Sequence, residues 1–263
     1  MSDGLFARQL GAGPPLLLIH GLMVTGEMFD PVLDDFAEHH RVIVPDLRGH
    51  GRSVRLGSPY TVAKLAEDLA RLLDDLSLES ADVLGYSQGG AVAQQFARDY
   101  PDRTRRLVLV CTYAYNMLTL RERLEGALLP WLVRVLGPRR LATLFVRPGI
   151  GLGGGRPLMP EGARQLRGII ASNDRLLMVE AVRQMKAFDS REWLVQISCP
   201  TLVLCGSEDA AVPMHHARML ARGIRSSQLR VIEGAGHALL WTHPEEFVEQ
   251  TEVWLSSSEA RQR

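Results

Sequence analysis

Six short apolar runs recur along the chain, at 16–20, 41–44, 81–84, 107–110, 201–204 and 229–232. They are continuous instead of alternating with polar residues, and a strand of that composition is buried on both faces. Most of the gaps between them carry apolar residues at helical spacing. The clearest stripe is Val62, Leu65, Leu69, Leu72, Leu73 and Leu76, with Thr61 placed to cap its start. Phe29, Val32, Leu33 and Phe36 make a shorter one. Near the end, Thr242 or His243 precedes a helix with Pro244 in its first turn and Glu245 and Glu246 at the positive end of the dipole. Doubly buried strands alternating with amphipathic helices predict an α/β fold, a mostly parallel central sheet with helices on both faces.

The alternation breaks once. From 113 to 196 no convincing strand occurs, only amphipathic stretches and a glycine-rich loop. We therefore expect residues 1–112 and 197–263 to form the core and 113–196 a helical cap over the sheet's carboxyl edge, where ligands of open α/β sheets bind. Residues 113–189 hold twelve cations against six acids. That surplus reads first as a solvated cap surface and second as a preference for substrates bearing a carboxylate.

Composition narrows the function classes. A chain of 263 residues can bury about 70–75% of its unfolded surface, so no metal or disulfide staple is required. Thirty basic and thirty acidic residues cancel, leaving no global field toward nucleic acid or an anionic membrane. Cys111, Cys199 and Cys205 are odd in number and lie in or beside apolar runs, as buried reduced thiols do. The uncharged stretch at 107–120 falls short of the ~20 residues of a membrane span, and Pro14, Pro15 and four glycines break the one at 9–26. A cytoplasmic protein is expected.

Gly85-Tyr86-Ser87-Gln88-Gly89-Gly90 follows a buried run and opens a helical segment. In that context a Gly-x-Ser-x-Gly match carries meaning. A serine on so sharp a strand-to-helix turn takes strained backbone angles, and Gly85 and Gly89 remove side chains that would collide. The hydroxyl needs a base. Among eight histidines His237 stands out, in Glu233-Gly-Ala-Gly-His just after the last strand. His20 is expected to hold local backbone. His39, His40, His215 and His216 are expected on exposed helices or loops, His50 in a turn and His243 at a helix start. The carboxylate that fixes the imidazole is assigned to Asp209, beyond Gly206-Ser207-Glu208, in preference to its neighbour Glu208. Asp46 and the glycines of 46–53 read as a stabilised turn. The Gly-x-Gly-x-x-Gly match at 149–154 has Arg147-Pro148 before it instead of a strand, so no dinucleotide site is expected. No His, Cys or Asp spacing marks a metal site.

Leu18-Ile19-His20-Gly21, Pro45–Ser53, Gly85–Gly90, Gly206–Asp209 and Gly236-His237 together resemble the α/β-hydrolase superfamily over essentially the whole length. Within it the chain is similar to small capped serine esterases and to enol-lactone hydrolases. It departs from haloalkane dehalogenases and epoxide hydrolases, which place an aspartate where Ser87 stands. The resemblance implies a Ser87, Asp209, His237 triad and an oxyanion hole formed by the backbone amides of Leu22 and Gln88, with no cofactor. The activity so implied is hydrolysis of a small-molecule ester or lactone through an acyl-enzyme. Alternatives are other acyl chemistry on the same site (carbon–carbon bond hydrolysis, perhydrolysis, acyl transfer) or a slow-turnover receptor. Neither a nucleic-acid nor a membrane partner is expected, and a homo-oligomer is left open. Met117, Leu124, Leu128, Trp131, Leu132 and Leu136 are candidate cap residues for an apolar pocket lining.

Overall fold

The computed structural model describes residues 4–56, 59–146 and 154–257. Among these residues seven strands form one sheet: β1 (Ala7–Leu10), β2 (Pro15–Ile19), β3 (Arg41–Pro45), β4 (Ala81–Tyr86), β5 (Thr104–Val110), β6 (Thr201–Gly206) and β7 (Ser227–Ile232). Their order is β1-β3-β2-β4-β5-β6-β7. Only β1 runs antiparallel, against β3. The sequence pattern misses β1 for a physical reason. It is a four-residue edge strand, Ala7-Arg8-Gln9-Leu10, none of whose residues is buried, so it needs no apolar run.

Alternate residues of each inner strand feed two separate cores. Leu16 and Leu18 of β2 join Phe29, Phe36, Phe247 and Trp254 on one face. Leu17 and Ile19 join Leu65, Leu69, Phe96 and Leu220 on the other. All four β2 side chains are fully buried, which explains the unbroken run and makes each worth roughly 1.5–3 kcal/mol of transfer free energy. The second face is covered by α2 (Val62–Asp75), α3 (Gln88–Asp99) and α7 (Met214–Gly223). The first is covered by α1 (Leu33–Ala37), α8 (Leu239–Thr242) and α9 (Pro244–Ser256).

Local signals fare unevenly. Thr61 does cap α2, accepting from Lys64 N at 3.1 Å. At α9 neither expected cap forms: His243 makes no capping bond, and the Thr242 hydroxyl meets His243 Nδ1 at 2.9 Å instead. The short stripe from Phe29 is mostly a 3-10 helix, Gly26–Val32, because Pro31 lies inside it, and α1 adds only five residues.

Between β5 and β6 the described residues contain no strand. They fold as α4 (Leu120–Phe145), α5 (Pro160–Ala171) and α6 (Arg175–Ala187), with α4 broken where Gly137 takes φ 69° ahead of Pro138. Of the glycine pattern at 149–154, residues 149–153 lie outside the described residues. No helix among the described residues is long and apolar enough to cross a membrane.

The connection order reverses beside β2, which has β3 on one side and β4 on the other. Ile19 pairs with Gly85, so the loops leaving β2 and β4 emerge together at the sheet's carboxyl edge. This switch point is where an open α/β sheet leaves a crevice.

Candidate active site

Ser87 sits between β4 and α3 with φ 54° and ψ −120°, a conformation that non-glycine residues rarely adopt. The turn is possible only because its neighbours are small. A Cβ on Gly89 would strike the carbonyl oxygens of Ile19 and His20, and one on Gly85 would come within 2.7 Å of Ala93 Cβ. Ser87 N donates to Val110 O at 2.9 Å, pinning the turn to the neighbouring strand end.

His237 leaves β7 and brings its ring to this turn. Its Nε2 lies 3.1 Å from Ser87 Oγ, and its Nδ1 lies 2.8 Å from Asp209 Oδ2. Asp209, in the loop after β6, has its other oxygen occupied: Oδ1 accepts from Ala211 N at 2.9 Å and Val212 N at 2.8 Å. The Asp209 side chain is fully buried while Glu208 is exposed, so the neighbouring acid does not compete for the ring. With Asp209 as acceptor, the tautomer that satisfies both contacts carries its proton on Nδ1 and leaves Nε2 free to accept from the serine hydroxyl.

The groups packed around this chain stay neutral. Burial pushes the Cys111 thiol well above its usual range, and the adjacent Asp209 charge pushes it further. Burial, followed by Cys111 and Asp209, does the same to the Tyr86 phenol, whose hydroxyl donates to the His237 carbonyl. Asp209 is therefore the one anion facing His237 among these groups, the condition under which an imidazolium is stabilised at that position. The sequence reading did not assign either support. Tyr86 lies inside the recognised motif, but only the fold brings Cys111 to Asp209.

Gln88 is the first residue of α3, whose leading amides lack intrahelical acceptors. A Cβ on Gly21 would stand 3.2 Å from Ser87 Cβ, so the loop bearing Leu22 runs directly beside the Ser87 turn. Gln88 also reaches outward, its Nε2 donating to Ala181 O of α6 at 2.9 Å.

The remaining histidines divide. His20 holds backbone as expected, accepting from Leu47 N at 2.9 Å and donating toward Gly21 O at 2.9 Å, and burial lowers its pKa to about 4. Asp46 stabilises its turn by accepting from Gly26 N and Arg52 N, each at 2.9 Å. His39 is exposed, but His40 is buried against Glu252, and His216 is buried beside a half-exposed His215. Helical spacing says which residues share a face, not what a partner helix places against them.

A cleft open to solvent lies over Ser87 and His237. Its walls are Val24, Met28, Tyr86, Leu166, Leu240 and Trp241 with the Gly21-Leu22 loop, and among the described residues no Arg or Lys lines it. None of the six expected lining residues contributes. Met117 is buried, while Leu124, Leu128 and Trp131 are 56%, 57% and 60% exposed. Among the described residues, none of the cations of 113–189 lines the cleft.

The chain has known relatives in sequence and fold. Residues 14–244 match the α/β hydrolase fold family, and the chain belongs to it as a hydrolase of that class. It is 34% identical to a poly(3-hydroxyalkanoate) depolymerase of Ectopseudomonas oleovorans, over 88% of this chain and 80% of that one. A thermophilic esterase from Thermogutta terrifontis superposes with a TM-score of 0.84 at 32% identity, covering 95% of this chain and 92% of that one. The enol-lactonase of Burkholderia xenovorans LB400 shares the fold, with a TM-score of 0.84 at 23% identity over 96% of each chain.

Proposed function

We propose that this protein is a serine hydrolase that cleaves a small, uncharged carboxylic ester or lactone through an acyl-enzyme on Ser87. The observation that carries the reading is the unbroken chain from Ser87 Oγ to His237 to Asp209, opening onto an apolar cleft. His237 Nε2 takes the hydroxyl proton as Oγ attacks the carbonyl carbon, and Asp209 stabilises the imidazolium so formed. The amides of Leu22 and Gln88 receive the oxyanion, each such donor being worth ~10²–10³ in rate. The imidazolium returns its proton to the leaving alcohol. Water, deprotonated by the same ring, then attacks the acyl carbon and frees Ser87 and the acid.

In this reading residues 113–196 act as a helical cap on the core of 1–112 and 197–263. Leu166 from α5 walls the cleft, and the Gln88 side chain ties the nucleophile turn to α6. An uncharged substrate is favoured because a carboxylate would meet no Arg or Lys among the described residues of the cleft wall. The reaction uses the chain's own side chains and a small-molecule substrate, with no nucleic-acid or membrane partner, and the cytoplasm is the proposed location.

A fluorophosphonate probe tests the nucleophile, and an ester panel tests the substrate. Labelling is expected at Ser87 alone, with neutral p-nitrophenyl esters cleaved faster than carboxylate-bearing ones. Stoichiometric ligand binding with negligible turnover across that panel would point instead to a receptor.

A further inference from the structure

One cluster of donor atoms is not used by this chemistry. Glu122 lies in the first turn of α4, and His215 and His216 lie at the start of α7, 93 and 94 residues later. Both imidazole Nε2 atoms converge on the same carboxylate oxygen, Glu122 Oε1, at 2.9 Å and 3.1 Å. The two rings stand 4.1 Å apart, and the three donor atoms lie within 4.8 Å of one another.

We propose that Glu122, His215 and His216 form a site for a divalent transition-metal ion, best matched by Zn²⁺, that ties α4 to α7. Two neutral imidazoles and one carboxylate are a donor set that zinc takes, leaving a fourth position for water. The spacing also suits it. A tetrahedron with metal–ligand bonds of about 2.0 Å has edges of about 3.3 Å, so small movements of the three donors admit the ion. The carboxylate is already oriented for this task. Its other oxygen, Oε2, accepts from Thr119 N at 2.8 Å, and the Thr119 hydroxyl accepts from Glu122 N at 3.2 Å. That capping box plays the part of the outer-sphere contacts that fix metal ligands. Access is graded: the His216 side chain is 1% exposed, Glu122 11% and His215 41%, so an ion enters past His215 and binds against a buried wall. The site shares no residue with Cys111, Asp209 and His237, the other group of donors close enough to hold an ion among the described residues.

The cluster has a metal-free alternative, in which two Nε2–H groups donate to one carboxylate oxygen and only latch the helices. Calorimetric titration of chelator-treated protein with Zn²⁺ separates the two, with Co²⁺ absorption as a report of four-coordination. The proposal expects one equivalent bound at micromolar affinity or tighter, a raised melting temperature, and the intense visible bands of tetrahedral Co²⁺. Glu122→Gln keeps an acceptor for the capping box and should weaken binding about 100-fold or more, beyond the 10–100-fold typical of outer-sphere changes. His215→Ala truncates a half-exposed ring and should do the same without threatening the fold, while His237→Ala should leave the equivalent intact. The proposal fails if Zn²⁺ does not bind. It fails equally if all variants bind alike, or if His237→Ala loses the ion while Glu122→Gln retains it. None of these outcomes bears on whether Ser87 is the nucleophile.

Discussion

His20 and His237 stand at the same edge of the same sheet, one beyond β2 and the other beyond β7, and both ring nitrogens of each are engaged. They differ in what engages them. His20 is fully buried, and both its partners, Gly21 O and Leu47 N, are backbone groups that cannot change protonation. His237 has a buried carboxylate on one nitrogen, a hydroxyl on the other, and a cleft beside it. Dry backbone partners hold an imidazole neutral and fixed. A buried carboxylate partner stabilises the cation that forms when the ring takes a proton, and the hydroxyl beside His237 supplies one.

The sharpest way to break this contrast is to remove the movable proton. Ser87→Ala and His237→Ala should each lower turnover of a p-nitrophenyl ester by about 10⁶, and the double variant little further, because the pair acts as a unit. Ordinary activity in either single variant would end the assignment. Next in size is the carboxylate. Asp209→Asn should cost about 10⁴ in kcat with the fold intact, because an amide favours the wrong tautomer. Glu208→Gln, altering an exposed side chain, should leave kcat within experimental error.

Much of this was legible before any coordinates. The Ser87 turn announces itself because it demands glycine at fixed positions, and Gly85 and Gly89 stand where a Cβ would collide. His237 and Asp209 are legible because each follows an apolar strand run, and parallel strands deliver their loops to one edge. What the sequence conceals is whatever depends on the partner of an amphipathic face. Leu124, Leu128 and Trp131 make an apolar stripe on α4 that faces solvent, whereas Leu166 on α5 reaches the cleft. Periodicity marks both stripes alike. His216 is hidden for the same reason, since nothing in its local sequence announces that Glu122 will be folded against it. The edge strand β1 is concealed because none of its four residues is buried and it carries no apolar run, whereas the opposite edge strand β7 keeps Leu229, Val231 and Ile232 in its sequence and buries Ile232.

The dry half of the comparison predicts an acid limit on stability. Burial lowers His20 to about 4, and burial with the His20 charge lowers His50 to about 3, against 6.5 for a free ring. Above pH ~6.5 both rings are neutral in either state and impose no penalty. As the pH falls toward 4, the unfolded chain takes up protons that the folded one refuses, so stability drops. At about 1.4 kcal/mol per unit, His20 alone accounts for roughly 3 kcal/mol of the loss. Urea midpoints at pH 7 and pH 4.5 check the sign. Carboxylates titrate in the same window, so the decisive quantity is the difference between wild type and His50→Gln, which should lose less. An equal drop in both would mean that His50 is not held neutral by burial.

The smallest expected effect lies on the wet side, in the cleft wall itself. Trp241, beyond His237, faces α5, where a Cβ on Gly162 would come within 3.0 Å of its ring. Leu166 of α5 lines the same cleft and is almost fully buried. These two side chains hold α5 over the site and set its depth, but neither touches the proton chain. Removing apolar wall from a pocket changes discrimination by about 1–3 kcal/mol, or roughly 10–200-fold, so Trp241→Ala should sit at the lower end, near tenfold. The change should fall on KM for short acyl esters, with kcat nearly preserved, and the preferred acyl chain should lengthen as the cleft deepens. Leu166→Ala should shift the profile the same way but also cost about 2 kcal/mol or more in folding stability, because it empties packed core. Chain-length profiles from acetate to octanoate, measured for both variants, read out the cleft independently of the nucleophile. If KM and chain preference stay fixed while kcat falls, the wall positions the catalytic groups instead of the acyl chain, and the division between a structural and a chemical edge would have to be redrawn through α5.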